Sequence, residues 1–194
     1  MHVIFRTLLV LLRARRRPSM TPWESSVLTL RALPTDVDIA LHINNGQYFS
    51  LFDLGRFDLM ARCGLWAQMR SRGWSPVVQS EQITFRRSVT FMKRFEIHTR
   101  MIGFDEKCFY FEQRAVVDGE IYVRAHVAGR LLSSAGPVSN ADILGAIREL
   151  GHEVPEDLTV SDELHSWRRD AALPAARKPA PNTWEQSSRA AGQS

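Results

Sequence analysis

The sequence predicts an α+β fold. Three observations lead there: one strand-like run near the start, an apolar run of helical period after it, and four consecutive strand-like runs split by short turns. A length of 194 residues suffices for one domain with a core, and 44% hydrophobic with 24% charged residues is ordinary for a globular chain.

The first strand is "SSVLTLRAL" (25–33), rich in β-branched residues and leucine and stopped by Pro34. A helix is predicted to start at Asn44–Asn45, because asparagine is favoured at helix N-caps. Leu51, Phe52, Gly55, Leu59 and Cys63 then follow the i, i+3/i+4 rhythm of one buried face. Asp53 and Arg56, three apart, are placed to pair on the opposite side. Gly64 suits the helix end, and a second short helical piece runs to Arg72.

Past "RGWSP" the pattern changes to strands, at 77–89, 94–104, 107–117 and 120–132. Asp118–Gly119 between two such runs is the strongest hairpin signal, and "GFDEK" is a second. One long helix against a meander-like sheet is the expected arrangement, followed by a further helix over 140–150. The chain divides into an arm (1–20), a domain (21–150) and an extension (151–194). That extension is expected to be largely disordered after about 170, where Ala, Pro, Ser and Gly dominate without an apolar period.

The charge distribution argues against a nucleic-acid partner. The net charge is +4, but residues 1–20 hold five arginines and no acid, which leaves 20 basic against 21 acidic residues elsewhere. Nucleic-acid binders usually carry their basic excess on the folded domain. Cys63 and Cys108 stand outside any C-x-x-C pair or histidine cluster, so neither a disulfide nor a metal site is expected, and no cofactor is called for. Both read as core residues of a cytoplasmic, reducing compartment.

The arm "MHVIFRTLLVLLRARRRP" has an apolar run, Val3–Leu12, only ~15 Å long as a helix, against a bilayer core of ~30 Å. Its arginines follow the apolar run, the reverse of a secretory signal. Two readings stay open: a helix packed on the domain, or peripheral contact of residues 1–17 with an anionic membrane surface. Removing residues 1–17 is expected to leave the fold intact.

The densest polar cluster is "TDVDIALHINNGQY" (35–48). The spacing of Asp38, His42, Asn44, Asn45, Tyr48, Asp53 and Arg56, with "RRSVTFMKRFEIHTRMIGFDEKCFYFEQR" (86–114), resembles the hotdog-fold acyl-CoA thioesterases of the 4-hydroxybenzoyl-CoA thioesterase group, and more closely the branch of thioesterase superfamily member 6. The resemblance covers roughly residues 25–132. It implies an antiparallel sheet wrapped around a long central helix, and a homodimer or dimer of dimers with sites at the subunit interface. It also implies hydrolysis of an acyl-CoA or related thioester to acid and thiol.

Asp38 matches the family's catalytic carboxylate, acting as general base or nucleophile, although an aspartate there can also merely cap a turn. Backbone N–H groups of Asn45 and Gly46 at the helix start are the expected oxyanion donors. His42 either orients Asp38 and the attacking water or ties the loop to the helix. Asn44 reads as the N-cap, with a place among the substrate-binding residues. Tyr48 and Phe52 are candidates for the acyl pocket, and Arg86 and Arg87 for the phosphates of coenzyme A. His98 and His126, isolated in strand-like runs, read as structural. One departure from the family is Ala40, where the plant acyl-carrier-protein thioesterases have a polar Asn two residues after the aspartate. It motivates an alternative: a catalytically silent hotdog protein that binds acyl chains or lipid.

Overall fold

A computed structural model describes residues 2–174 and 177–182. Six strands form one antiparallel sheet: β1 (Ser26–Arg31), β2 (Ser75–Phe85), β3 (Arg94–Phe104), β4 (Phe109–Val117), β5 (Glu120–Ser133) and the two-residue β6 (Gly136–Pro137). The order across the sheet is β1-β3-β4-β5-β2, with β6 on β5. Only β3, β4 and β5 form the expected meander. The 11-residue β2 pairs with β5 instead of its neighbour in sequence, β3. That pairing joins residues distant in sequence, so no local period encodes it. Asp118 (φ 51°) and Gly119 (φ 82°) make the predicted tight turn between β4 and β5.

Among the described residues five helices accompany the sheet: α1 (His2–Ala14), α2 (Gln47–Arg62), α3 (Leu65–Ser71), α4 (Asn140–Glu149) and α5 (Asp162–Asp170). Gly64, at φ 83°, separates α2 from α3 as its sequence position suggested. Leu51, Phe52 and Leu54 of α2 join a core with Phe95 and Ile97 of β3 and Ala115, Val117, Val123 and Ala125 of β4 and β5. Gly55 sits where α2 approaches the sheet most closely. A Cβ there would lie 2.5 Å from Thr99 Oγ1 and 2.7 Å from Ile97 Cγ2.

The arm is a structural part of the fold. Helix α1 packs on α2, with Val10 and Ala14 buried. Arg6 reaches both oxygens of the buried Asp36 at 2.9 Å, and Arg17 reaches both oxygens of the buried Asp58 at 3.0 and 2.8 Å. Helix α2 is thus packed by α1 as well as by the sheet. Residues 1–17 take part in the packing, through Val10, Ala14 and the ion pairs of Arg6 and Arg17, and are not dispensable to it.

The extension holds one helix that the sequence reading did not assign, ending where disorder was expected to begin. Helix α5 is capped by Ser161, whose side chain accepts from the Leu164 N–H, and its buried Arg168 pairs with Asp105 and Tyr110. Residues 171–174 and 177–182 carry neither helix nor strand. The expected disorder of 175–176 and 183–194 lies outside the described residues. No helix among the described residues is long and apolar enough to cross a membrane.

Candidate functional site

The polar cluster before α2 is a tight hairpin of its own. Asp38 N–H donates to His42 carbonyl, Asn44 N–H to Asp36 carbonyl, each 2.9 Å, and Val37 bridges Ile43. Its tip closes with Leu41 N–H on Asp38 carbonyl at 3.0 Å, and Leu41 takes a left-handed φ of 56°. The two aspartates are thereby given opposite environments. Asp36 is buried against Arg6 and also accepts from the Leu33 N–H at 2.9 Å. Asp38 is exposed, and its carboxylate accepts from the Ala40 N–H at 2.9 Å.

Of the expected oxyanion donors, one is occupied. Gly46 N–H donates to Asn44 Oδ1 at 2.9 Å, so the asparagine side chain caps the turn before α2 and consumes that donor. Asn44 is therefore not the N-cap expected of it: α2 begins at Gln47 with Gly46 in the cap position and no side-chain cap, and Asn44 closes the turn before it. Asn45 N–H makes no hydrogen bond among the described residues and is exposed at the helix start, where partial positive charge gathers. His42 stands opposite Asp38 across the hairpin, yet its ring bonds no described residue, and the orientation of Asp38 comes from Ala40 N–H.

The segment after β2 runs antiparallel beside this hairpin. Ile43 N–H donates to Val89 carbonyl at 2.9 Å, Phe91 N–H to Leu41 carbonyl at 2.8 Å, and His42 bridges Thr90. Arg86 and Arg87 are brought to the same end, exposed, and both pair with Glu120, at 2.8 and 3.2 Å. Around them Ile39, Leu41, Phe85, Phe91 and Met92 form an exposed apolar rim.

Tyr48 and Phe52 are each 1% exposed and belong to the core of this protomer. Burial pushes the Tyr48 phenol up to about 12. Its hydroxyl approaches the Val89 backbone without completing a hydrogen bond, and its ring lies 5.7 Å from that of Phe85.

A second polar group lies further along α2. Arg56 is buried; it donates to Gln113 Oε1 at 2.7 Å, pairs with Asp53, and lies 3.1 Å from Glu81 Oε1 off the line of a hydrogen bond. Burial raises the Glu81 carboxyl above the usual range, and the nearby Asp53 charge adds to this against the pull of Arg56. Asp53 and Arg56 border an apolar cleft of about 520 Å3, mouth included, floored by Phe57, Met60, Phe109, Phe111 and Val127 and rimmed by Pro76–Val78 of β2. The sequence reading placed the Asp53–Arg56 pair on an outer face. Only the spacing from Arg56 to Glu81 across two elements would have exposed it, and no local period encodes that.

This sheet with its helices is a hotdog fold. Solved structures agree on it: a hypothetical protein, TT1821, from Thermus thermophilus superposes with a TM-score of 0.59 at 20% identity, covering 67% of this chain and 100% of the other. A probable thioesterase from Bartonella henselae gives 0.54 at 21%, covering 60% and 98%. A second protein of Thermus thermophilus, a thioesterase solved with coenzyme A and zinc, gives 0.54 at 19%, covering 66% and 96%. The sequence profile of the thioesterase-like superfamily matches residues 32–140, and the chain belongs to that superfamily. Protein THEM6 of Xenopus laevis is 38% identical over 127 residues, covering 64% of this chain and 61% of the relative. Protein THEM6 of Danio rerio is 32% identical over 139 residues, covering 72% and 66%. The chain thus spans about two thirds or less of the length of these curated relatives.

Proposed function

We propose that the protein hydrolyses an acyl-CoA or a closely related acyl thioester, with Asp38 as base or nucleophile. The observation that carries this reading is an exposed carboxylate on the hairpin that leads into α2, with an unused N–H at the helix start that follows it. A thioester needs little more. Its thiolate leaves readily and its carbonyl has weak resonance stabilisation, so a carboxylate and an oxyanion donor suffice without metal. Asn45 N–H is the donor in this reading, and Arg86 and Arg87 meet coenzyme A phosphates in competition with Glu120.

The complete site is proposed to need a second copy. Strand β2 is a long free edge with Val77, Val78 and Phe85 exposed, a surface suited to continuing the sheet into a partner. Antiparallel pairing about its middle sets residues 75–78 of one protomer opposite 82–85 of the other. The apolar cleft at Pro76–Val78 then abuts the partner's Asp38 end, and an acyl chain in the cleft presents its carbonyl there. The test is thiol release from a panel of acyl-CoA chain lengths by the purified protein, with mass from light scattering. Release and a dimeric mass are expected; a monomer that turns over no acyl-CoA overturns the reading.

One observation favours a second reading, an acyl-binding protein without turnover. Asp38 is held by its own loop at Ala40 N–H, where a side-chain partner is missing, and His42 does not touch it. In that case acyl-CoA raises the melting temperature while no thiol appears.

A further inference from the structure

We propose that α1, with the groove between it and β1, is a docking surface for an anionic lipid bilayer. The two faces of α1 are chemically distinct. Its inner face carries Val10, Ala14 and the paired Arg6, which hold it to the domain. Its outer face presents Ile4, Phe5, Leu8 and Leu12, between 55% and 69% exposed, an apolar stripe left largely uncovered by the described residues. Large apolar side chains on a charged arm are costly to leave in water, and a bilayer interface is one place where both are satisfied.

Charge selects that occupant over an apolar protein face. Arg13, Arg15 and Arg16 are exposed at the end of the same helix and have no acidic partner among the described residues, while Arg6 and Arg17 are already used on Asp36 and Asp58. Residues 1–20 contain no acid to repel a phosphate. The groove continues the pattern. Phe5, Leu9, Leu30 and Leu33 line its apolar part, and Arg13, Arg31 and Arg94 bring three guanidinium groups to it. Arg94 has no acidic partner among the described residues, and Arg31 is tied only to the Met92 carbonyl, at 2.8 Å.

A helix of 13 residues is ~20 Å long, too short to span but long enough to lie in the headgroup plane. In that pose the outer stripe enters the acyl boundary. The arginines meet lipid phosphates at its edge, and the groove holds one anionic headgroup beside β1.

Flotation of the full chain with vesicles tests this, using 7:3 phosphatidylcholine:phosphatidylglycerol against phosphatidylcholine alone. Binding to the anionic vesicles is expected, at least tenfold weaker on the neutral ones and lost in high salt. Arg13→Gln with Arg94→Gln weakens it by about 25-fold, since an arginine near such a surface is worth about fivefold, and Phe5→Ser with Leu8→Ser weakens it by about tenfold or more, each with unchanged circular dichroism. These residues leave the Arg6 and Arg17 ion pairs in place. No binding to anionic vesicles, equal binding to neutral ones, or folded variants that bind like the parent would overturn the proposal. So would variants that change only the oligomeric mass, because the stripe would then be covered by another copy.

Discussion

Arg6 holds both carboxylate oxygens of Asp36 at 2.9 Å, tying the first turns of α1 to the loop that precedes α2. Asp36 is fully buried and Arg6 nearly so, which makes this pair different from an exposed one. Replacing Arg6 with Ala leaves an uncompensated carboxylate in the core. The expected loss is about 3 kcal/mol in urea unfolding. A loss below about 0.5 kcal/mol would mean that the arm is merely resting on the domain.

Gly55 is expected to resist the helix-favouring change to Ala. Alanine gains up to ~1 kcal/mol of helix propensity, but its methyl would press on Thr99 and Ile97, both buried in β3. Overpacking of this kind costs about 1–3 kcal/mol, so Gly55→Ala should be net destabilising by equilibrium denaturation. A raised midpoint would show that α2 can lift from the sheet.

The Tyr48 hydroxyl is buried and unpaired, so it contributes desolvation cost without a bond. Tyr48→Phe is therefore expected to be neutral or stabilising, by up to ~1 kcal/mol. A clear loss of stability would reveal a partner for that hydroxyl in the assembled protein.

Asp105 sets the acid limit of the α5 attachment. Burial alone would raise its carboxyl, but the Tyr110 hydroxyl, the N–H groups of Lys107 and Cys108, and Arg168 outweigh it and hold it below the ordinary 3.8. A depressed carboxylate stabilises the fold above its unfolded pKa and loses that contribution as pH falls through the folded one. The stability gap between the parent and Asp105→Asn should be full above about pH 5 and close below about pH 4. A gap independent of pH would assign the effect to packing.

Local chemistry made much of this readable from the chain. The Asp118–Gly119 turn, the stop at Gly64, strand β3 and helix α4 follow from residue types acting on their neighbours. What escaped reading depends on tertiary covering. Asp58 and Arg56 look like surface residues of α2 until α1 and β2 close over them, and α5 is held by an Arg168–Asp105 pair 63 positions apart. At the site, the structure puts Asp38, His42 and Asn44 in one hairpin, with Asn45 and Gly46 in the turn that follows. The sequence did not show that Asn44 consumes the Gly46 N–H, because that depends on one side-chain rotamer.

The most direct test is Asp38→Asn, assayed by thiol release from an acyl-CoA the parent turns over. Asparagine keeps the size and still accepts from the Ala40 N–H, so the melting temperature should not move. With the reacting charge gone, turnover should fall by roughly two to four orders of magnitude. Turnover within about threefold of the parent, on a folded protein, would contradict the assignment and leave Asp38 as a turn residue.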